Sequence, residues 1–370
     1  MIHRKVRDFS RISRTFSFIP PGGETVRRIE AMQTFSDSQV LIASEGSGSA
    51  EASSSKLCFL ERGQWEPVSR AHAERAARFA DPFVQRRHRG LKHPVEDFLF
   101  TYYTLKPGQF KKWHPGAGVI LLDAPEYVSQ KFYRAATVAE LAAAGVDSAR
   151  ASLLVEQETA AIVDTQAFLE KRGMAVDFTR EILSNTAAKP GFFGCFGMHE
   201  WAMAYRSEEN NIRHEYLELR LGAQGTDQVV ESNRIRCSHF DAFRFFMPQA
   251  TDKNELQPSR EKQRFMEQPA CLHANMDVYK WAYKLLPLVD SELVMNAFEL
   301  SWEVRELDMK AAPYDLTEWG YEPIRVETPE GKGEYVKFQR EFAQRSIQLR
   351  KQLMQKLEEV CVARATPDIS

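Results

Sequence analysis

Several things are scarce in this sequence, and each shortage closes off a class of protein. Net charge is nearly absent: 49 Lys and Arg stand against 51 Asp and Glu, a formal balance of −2 over 370 residues. A chain-wide positive field for nucleic acid is therefore excluded, although a local basic face is not. Cysteines are few, at 58, 195, 237, 271 and 361, with no CxxC pair. Their odd number and wide spacing argue against a disulfide framework and fit a reducing, cytoplasmic setting. No run of eighteen apolar residues occurs, so no membrane span is expected. The basic N-terminus lacks the apolar stretch of a secretory signal. HExxH, GxSxG, a Walker loop, zinc-finger spacing and internal repeats are all missing.

What is present is aromatic and apolar. The chain holds 24 Phe, 11 Tyr and 6 Trp and is 43% hydrophobic, a globular composition long enough to bury a sizeable core. Residues 1–57 read differently. They carry a basic start (Arg4, Lys5, Arg7, Arg11, Arg14), a Pro-Pro-Gly-Gly break and a Ser/Gly/Glu linker at 44–55. That composition predicts a disordered extension, with a nucleic-acid arm as the alternative.

From about 58 the pattern turns helical. Helices are expected over 66–85, 93–103, 137–144, 148–172 (with Gly173 as its stop) and 178–183, with a short strand at 119–122. His114, placed before a proline, reads as a surface loop histidine. Leu272, Met276, Tyr279, Tyr283 and Leu286 recur at spacings of three and four, as do Leu293, Ala297, Leu300, Val304 and Leu307. The pair predicts a helical hairpin, followed by a long helix from Glu334 to about Val360. The expected fold is mainly α: a single multi-helix domain over 58–362 with few short strands, then a tail at 363–370.

Residues 191–284 concentrate the groups that can bind a metal or move a proton. Four of the nine histidines and three of the five cysteines fall here. The stretch opens with Gly191-Phe-Phe-Gly-Cys-Phe-Gly197. Its glycine spacing fits an anion cradle, but the interleaved Phe residues favour a packed apolar turn. His199 and Glu200 follow as neighbours about 100° apart on a helix, so that one faces a site and the other is structural. His239 borders an aromatic face made by Phe240, Phe243 and Phe246, with Asp241 beside it. His273 and Asp277 are four apart and share a helix face, an arrangement that suits a metal ligand with its orienting carboxylate or an ordinary exposed contact. Lys280 and Lys284 continue that stripe. His199, His239 and His273 are the candidate ligands of a divalent metal and are expected to converge on one pocket. Glu200, Asp241 and Asp277 are the candidate catalytic carboxylates.

Five longer strings carry a resemblance. They are His93-Pro-Val-Glu-Asp-Phe-Leu-Phe-Thr-Tyr-Tyr103, Gly194-Cys-Phe-Gly-Met-His-Glu-Trp-Ala-Met203, Arg234-Ile-Arg-Cys-Ser-His-Phe-Asp-Ala-Phe-Arg-Phe-Phe246, Leu272-His-Ala-Asn-Met-Asp-Val-Tyr-Lys-Trp-Ala-Tyr-Lys-Leu285, and Arg305-Glu-Leu-Asp-Met309 with the later Glu327-Thr-Pro-Glu-Gly-Lys332. Over about 60–350 the chain resembles a bacterial, mainly actinobacterial, family catalogued as 3-methyladenine DNA glycosylase. The resemblance implies DNA as partner and hydrolytic excision of alkylated bases: a flipped purine, aromatic stacking and a carboxylate that aids loss of the base. Arg234, Arg236 and Lys280, with Trp201 and Trp281, are the candidate substrate-binding residues. No helix-hairpin-helix motif accompanies them, so no catalytic residue is carried over. Two other readings stay open: a metal-dependent helical enzyme acting on a small molecule through the His/Asp/Glu site, and a non-enzymatic binding module using the aromatic face.

Overall fold

A computed structural model describes residues 57–209, 214 and 216–365, with side chains to residue 360. The expected N-terminal extension lies, up to residue 56, outside the described residues; of the tail expected at 363–370, residues 363–365 continue the last helix instead and the rest lie outside the described residues. Helices dominate, as the scarcity of period-two alternation predicts. The strands β1 (Cys58–Leu60), β2 (Val119–Leu121), β3 (Tyr133–Ala135) and β4 (Ala161–Val163) form one small sheet in the order β1-β2-β4-β3. β1 pairs parallel with β2 and the other two pairs are antiparallel, with Phe59 opposite Ile120 and Arg134 opposite Ile162. Ile120, Leu122, Leu141, Leu154 and Ile162 give the sheet its own apolar cluster. It carries none of the candidate site residues.

The first long helix, α1, spans Arg62–His88. The helix expected over 148–172 is instead broken. A helix over Ser148–Glu156 stops at Glu158, whose φ is 50°, and Ala161–Val163 enters the sheet as β4. Asp164 then accepts the backbone N–H of Ala167 and starts α2, Thr165–Ala187. Sheet pairing overrode the helical period here, and an N-cap restarted it. Gly173, read as a stop, lies inside α2 with open space around it. The 93–103 segment is helical only over Phe98–Tyr102, because the His93 ring and the Asp97 carboxylate capture backbone N–H groups in a preceding turn. His114 is no surface residue. Its ring stacks on Tyr133 and its Nδ1 lies 2.9 Å from the Tyr133 hydroxyl, and burial pushes the imidazole down to about 3.

Four helices position the site: α3 (Met198–Met203), α4 (Leu272–Lys284), α5 (Ser291–Lys310) and α6 (Pro329–Ala365). α4 and α5 pack along one another as the expected pair, and α6 packs on both and on α2. In α4 only His273 and Lys284 are not fully buried. A helix covered on all sides should be apolar throughout, yet α4 also carries Asn275, Asp277 and Lys280. Each of these needs a partner in the core. Arg350 of α6 supplies one, donating to Asn275 Oδ1 at 2.9 Å and to the Ala274 carbonyl at 2.8 Å. Among the described residues no helix is long and apolar enough to cross a membrane.

Candidate functional site

The site begins at a glycine. Gly197 caps α3 with φ 70°, a conformation that costs a residue with a Cβ but not glycine. Tyr335 and Ala311 close over it. This turn drives α3 directly into the core, and all six of its residues are buried. The 191–197 stretch, expected as a packed apolar turn, instead starts exposed at Gly191 and Phe192 and becomes buried only at Gly197, where it enters the helix that carries His199 and Glu200.

His199 and Glu200 are both committed, and both to α5. His199 Nε2 lies 2.9 Å from Asp308 Oδ1, and Glu200 Oε1 accepts from Arg305 Nη1 at 3.0 Å. Neighbours on α3 therefore meet residues one turn apart on α5. Arg305 also reaches the second oxygen of Asp308 at 3.3 Å and lies over the Phe98 ring. His273 completes the group, its ring centroid 4.4 Å from that of His199. One ligand atom each from His199, His273 and Asp308 lies within 4.8 Å of the others. His199 Nε2 and Asp308 Oδ1 are buried without a hydrogen-bond partner despite their closeness. Burial, reinforced by His199, holds His273 well below the ordinary histidine range, so its ring is neutral. Burial also opposes charge on His199, but Asp308 beside it outweighs that and raises it.

His239 is tilted against the His273 ring, at 5.3 Å between centroids. It heads a second group. Its Nε2 lies 3.2 Å from Asp277 Oδ2 and 3.4 Å from Glu267 Oε1. Asp277 Oδ1 accepts from the Tyr103 hydroxyl at 2.8 Å, and Lys280 Nζ closes on Oδ2. Gln263 donates to Glu267 at 2.8 Å. Burial disfavours a charged Asp277, yet Lys280 and His239 together hold it well below the usual carboxylate range. Burial raises Glu267. Lys280 stays charged, because Asp277 and Glu267 outweigh the cost of its burial.

Beside the first group is a cavity of about 10 Å³, walled by Cys195, Cys237, Cys271, His199, His273 and Arg236 among others. That is room for one water molecule. Burial pushes the Cys237 thiol up to about 12 and lifts those of Cys195 and Cys271 too, so these cysteines are not thiolate nucleophiles.

The three candidate histidines thus lie in one row, His199–His273–His239. The expected local contact between His273 and Asp277 is replaced, since Asp277 is taken by Tyr103 and His239 from afar and by Lys280 one turn on. Asp241 stands outside both groups, 3.0 Å from Arg244 and 3.5 Å from Lys280. Trp201, a candidate for substrate, is wholly buried and donates to the Ala311 carbonyl at 2.9 Å under Arg220, which leaves it a packing role. Trp281 is buried between Phe178 and the Lys280 and Lys284 ammonium groups. Arg234 is exposed and paired with Glu255, and Arg236, 3.9 Å from the same carboxylate, also covers the Phe192 ring at the cavity.

Asp308, Arg305, Glu267 and Tyr103 were not singled out from the sequence. A signal existed for two of them. Ser301, Arg305 and Asp308 follow helical spacing beside the apolar stripe of α5 and are all fully buried. A polar seam beside an apolar stripe marks a helix that faces a polar partner. Compared with protein-family models, with curated proteins and with solved structures, the chain finds no match.

Proposed function

We propose that this chain is a metal-dependent enzyme whose divalent ion is held by His199, His273 and Asp308. One observation carries the reading. His199 Nε2 and Asp308 Oδ1, both buried, stand 2.9 Å apart in a geometry that makes no hydrogen bond, with His273 beside them. Ligands at about 2.1 Å from a shared ion are spaced by about 3 Å, so the pair has the spacing that an ion displacing the His199 proton would need. The outer contacts agree: Arg305 holds the other oxygen of Asp308 and is itself fixed by Glu200, as groups that aim metal ligands are. Two imidazoles and one carboxylate leave coordination positions open, the pattern of zinc hydrolases and of non-haem iron oxygenases. His273 lines the cavity, so the position facing it can take a water molecule.

The test is metal analysis of the purified full chain beside His273→Ala and Asp308→Ala. One equivalent of a divalent ion in the wild type, lost in both variants, supports the reading. A wild type that binds no added Zn²⁺, Mn²⁺ or Fe²⁺ refutes it.

The glycosylase reading is kept for one observation, a surface where cations cover aromatic rings. Arg260 lies over Phe240, Arg264 over the exposed Phe265 and Arg244 over Phe245, and Asp241 pairs with Arg244 at 3.0 Å. Such a face suits stacking and phosphate contact. Here Asp241 would be the carboxylate that aids base loss. Release of 3-methyladenine from alkylated DNA, unchanged by chelator and lost in Asp241→Asn, would favour this reading over the metal centre.

A further inference from the structure

We infer that His239, Glu267 and Asp277 form a second cation site whose resident cation is the Lys280 ammonium. The inference builds on the metal-centre reading, because it places a built-in cation next to a bound one. The three residues come from separate elements: His239 precedes the short helix Phe240–Phe243, Glu267 ends the helix Gln263–Met266, and Asp277 is on α4. Their ligand atoms nonetheless gather within 4.8 Å of one another. All three are at most 2% exposed. Two carboxylates and an imidazole in a dry interior require a compensating cation.

Lys280 provides it from within the chain. It lies one turn beyond Asp277 on α4, touches Asp277 Oδ2 and comes within 3.5 Å of Asp241. A lysine ammonium is a compact point charge with three donors, the side chain closest to a small hard ion. Tyr103 and Gln263 hold the two carboxylates as outer partners hold metal ligands. His239 Nδ1 has no hydrogen-bond partner. The shared wall with His273 makes the pair of groups a two-cation centre in which one cation is covalent. Removing the ammonium should convert it to a two-ion centre.

The experiment counts Zn²⁺ bound per full-length chain by equilibrium dialysis, for wild type, Lys280→Met and Lys280→Gln. One ion in the wild type and two in either variant is the expected result. Thermal melting gives the second readout: both variants should melt lower than wild type in chelator and recover most of the difference in excess Zn²⁺. Adding Asp277→Asn should return the count to one. Equal counts in wild type and variants overturn the inference, as do two ions in the wild type. Variants that fail to fold even in excess Zn²⁺ overturn it too, since the ion should replace the ammonium. A wild type without Zn²⁺ whose Lys280 variants gain one ion would sink the metal-centre reading and leave this inference standing.

Discussion

Two groups of the same composition class sit back to back across the His273 ring, and they have been settled in opposite ways. Around Asp277 every charge has an answer: Tyr103 and His239 on its oxygens, Lys280 against Oδ2, Gln263 on Glu267. Around Asp308 only one oxygen is answered, by Arg305, while the other faces His199 without a hydrogen bond. Each group has a cation from the chain, Arg305 in one and Lys280 in the other, so the difference lies in which atoms are answered. A group whose carboxylate oxygens are all answered is a stabilising element, and one that leaves ligand atoms without a hydrogen bond is poised for a ligand.

The sharpest way to break this contrast is to remove the key carboxylate of each group. Asp308→Ala should weaken metal binding by more than the roughly 100-fold upper range for outer contacts, since it deletes a ligand itself. Isothermal titration with Zn²⁺ reads this, and an unchanged affinity would erase the distinction. Asp277→Asn should instead cost stability, on the order of 3–5 kcal/mol, because it takes from the buried Lys280 its nearest carboxylate and leaves Glu267 and Asp241 as its remaining acids. Its metal affinity should stay within a few-fold of wild type. Urea unfolding of the metal-free protein gives the first number and titration the second.

A pH series sharpens the contrast at moderate scale. His273 is held below its ordinary value of 6.5, so the unfolded chain takes up its proton first as pH falls. Stability of the metal-free protein should drop below about pH 6.5, by at most about 1.4 kcal/mol per unit for this one group. His239 is raised by Glu267 and Asp277 against the pull of burial, so its contribution is complete below 6.5 and fades as pH rises through its folded-state value. His273→Asn should make the acid limb shallower, with the share of the lowered His114 remaining, and leave the alkaline one. An acid limb of unchanged slope would assign the loss to other groups. The smallest effect is expected at the surface. Arg234→Ala removes an exposed pair with Glu255 and should change stability by less than about 1 kcal/mol. A larger loss by urea unfolding would show that this edge supports the core.

The long helices were legible because burial on one stripe leaves a period that survives in the sequence, as at Leu293, Ala297, Leu300, Val304 and Leu307. The break at 157–164 was not, since Ala161–Val163 becomes a strand only because β3 and β2 are there to receive it. The row of three histidines was legible as a concentration of ligand-type residues. Its partners were harder to see. Asp308 lies 109 residues from His199 and Tyr103 lies 174 from Asp277, and local spacing rules reach only one or two helical turns. The local rule misled at His273 and Asp277, whose side chains turn to different neighbours.

The cavity beside His273 has a kinetic consequence. At about 10 Å³ it admits a water-sized molecule and nothing the size of a chelator. An ion seated among His199, His273 and Asp308 would therefore leave only when the surrounding wall opens. Stripping it should be a first-order process whose rate saturates with chelator concentration and follows the local opening equilibrium of that wall. Water should exchange at the ion far faster than any multidentate reagent can remove it.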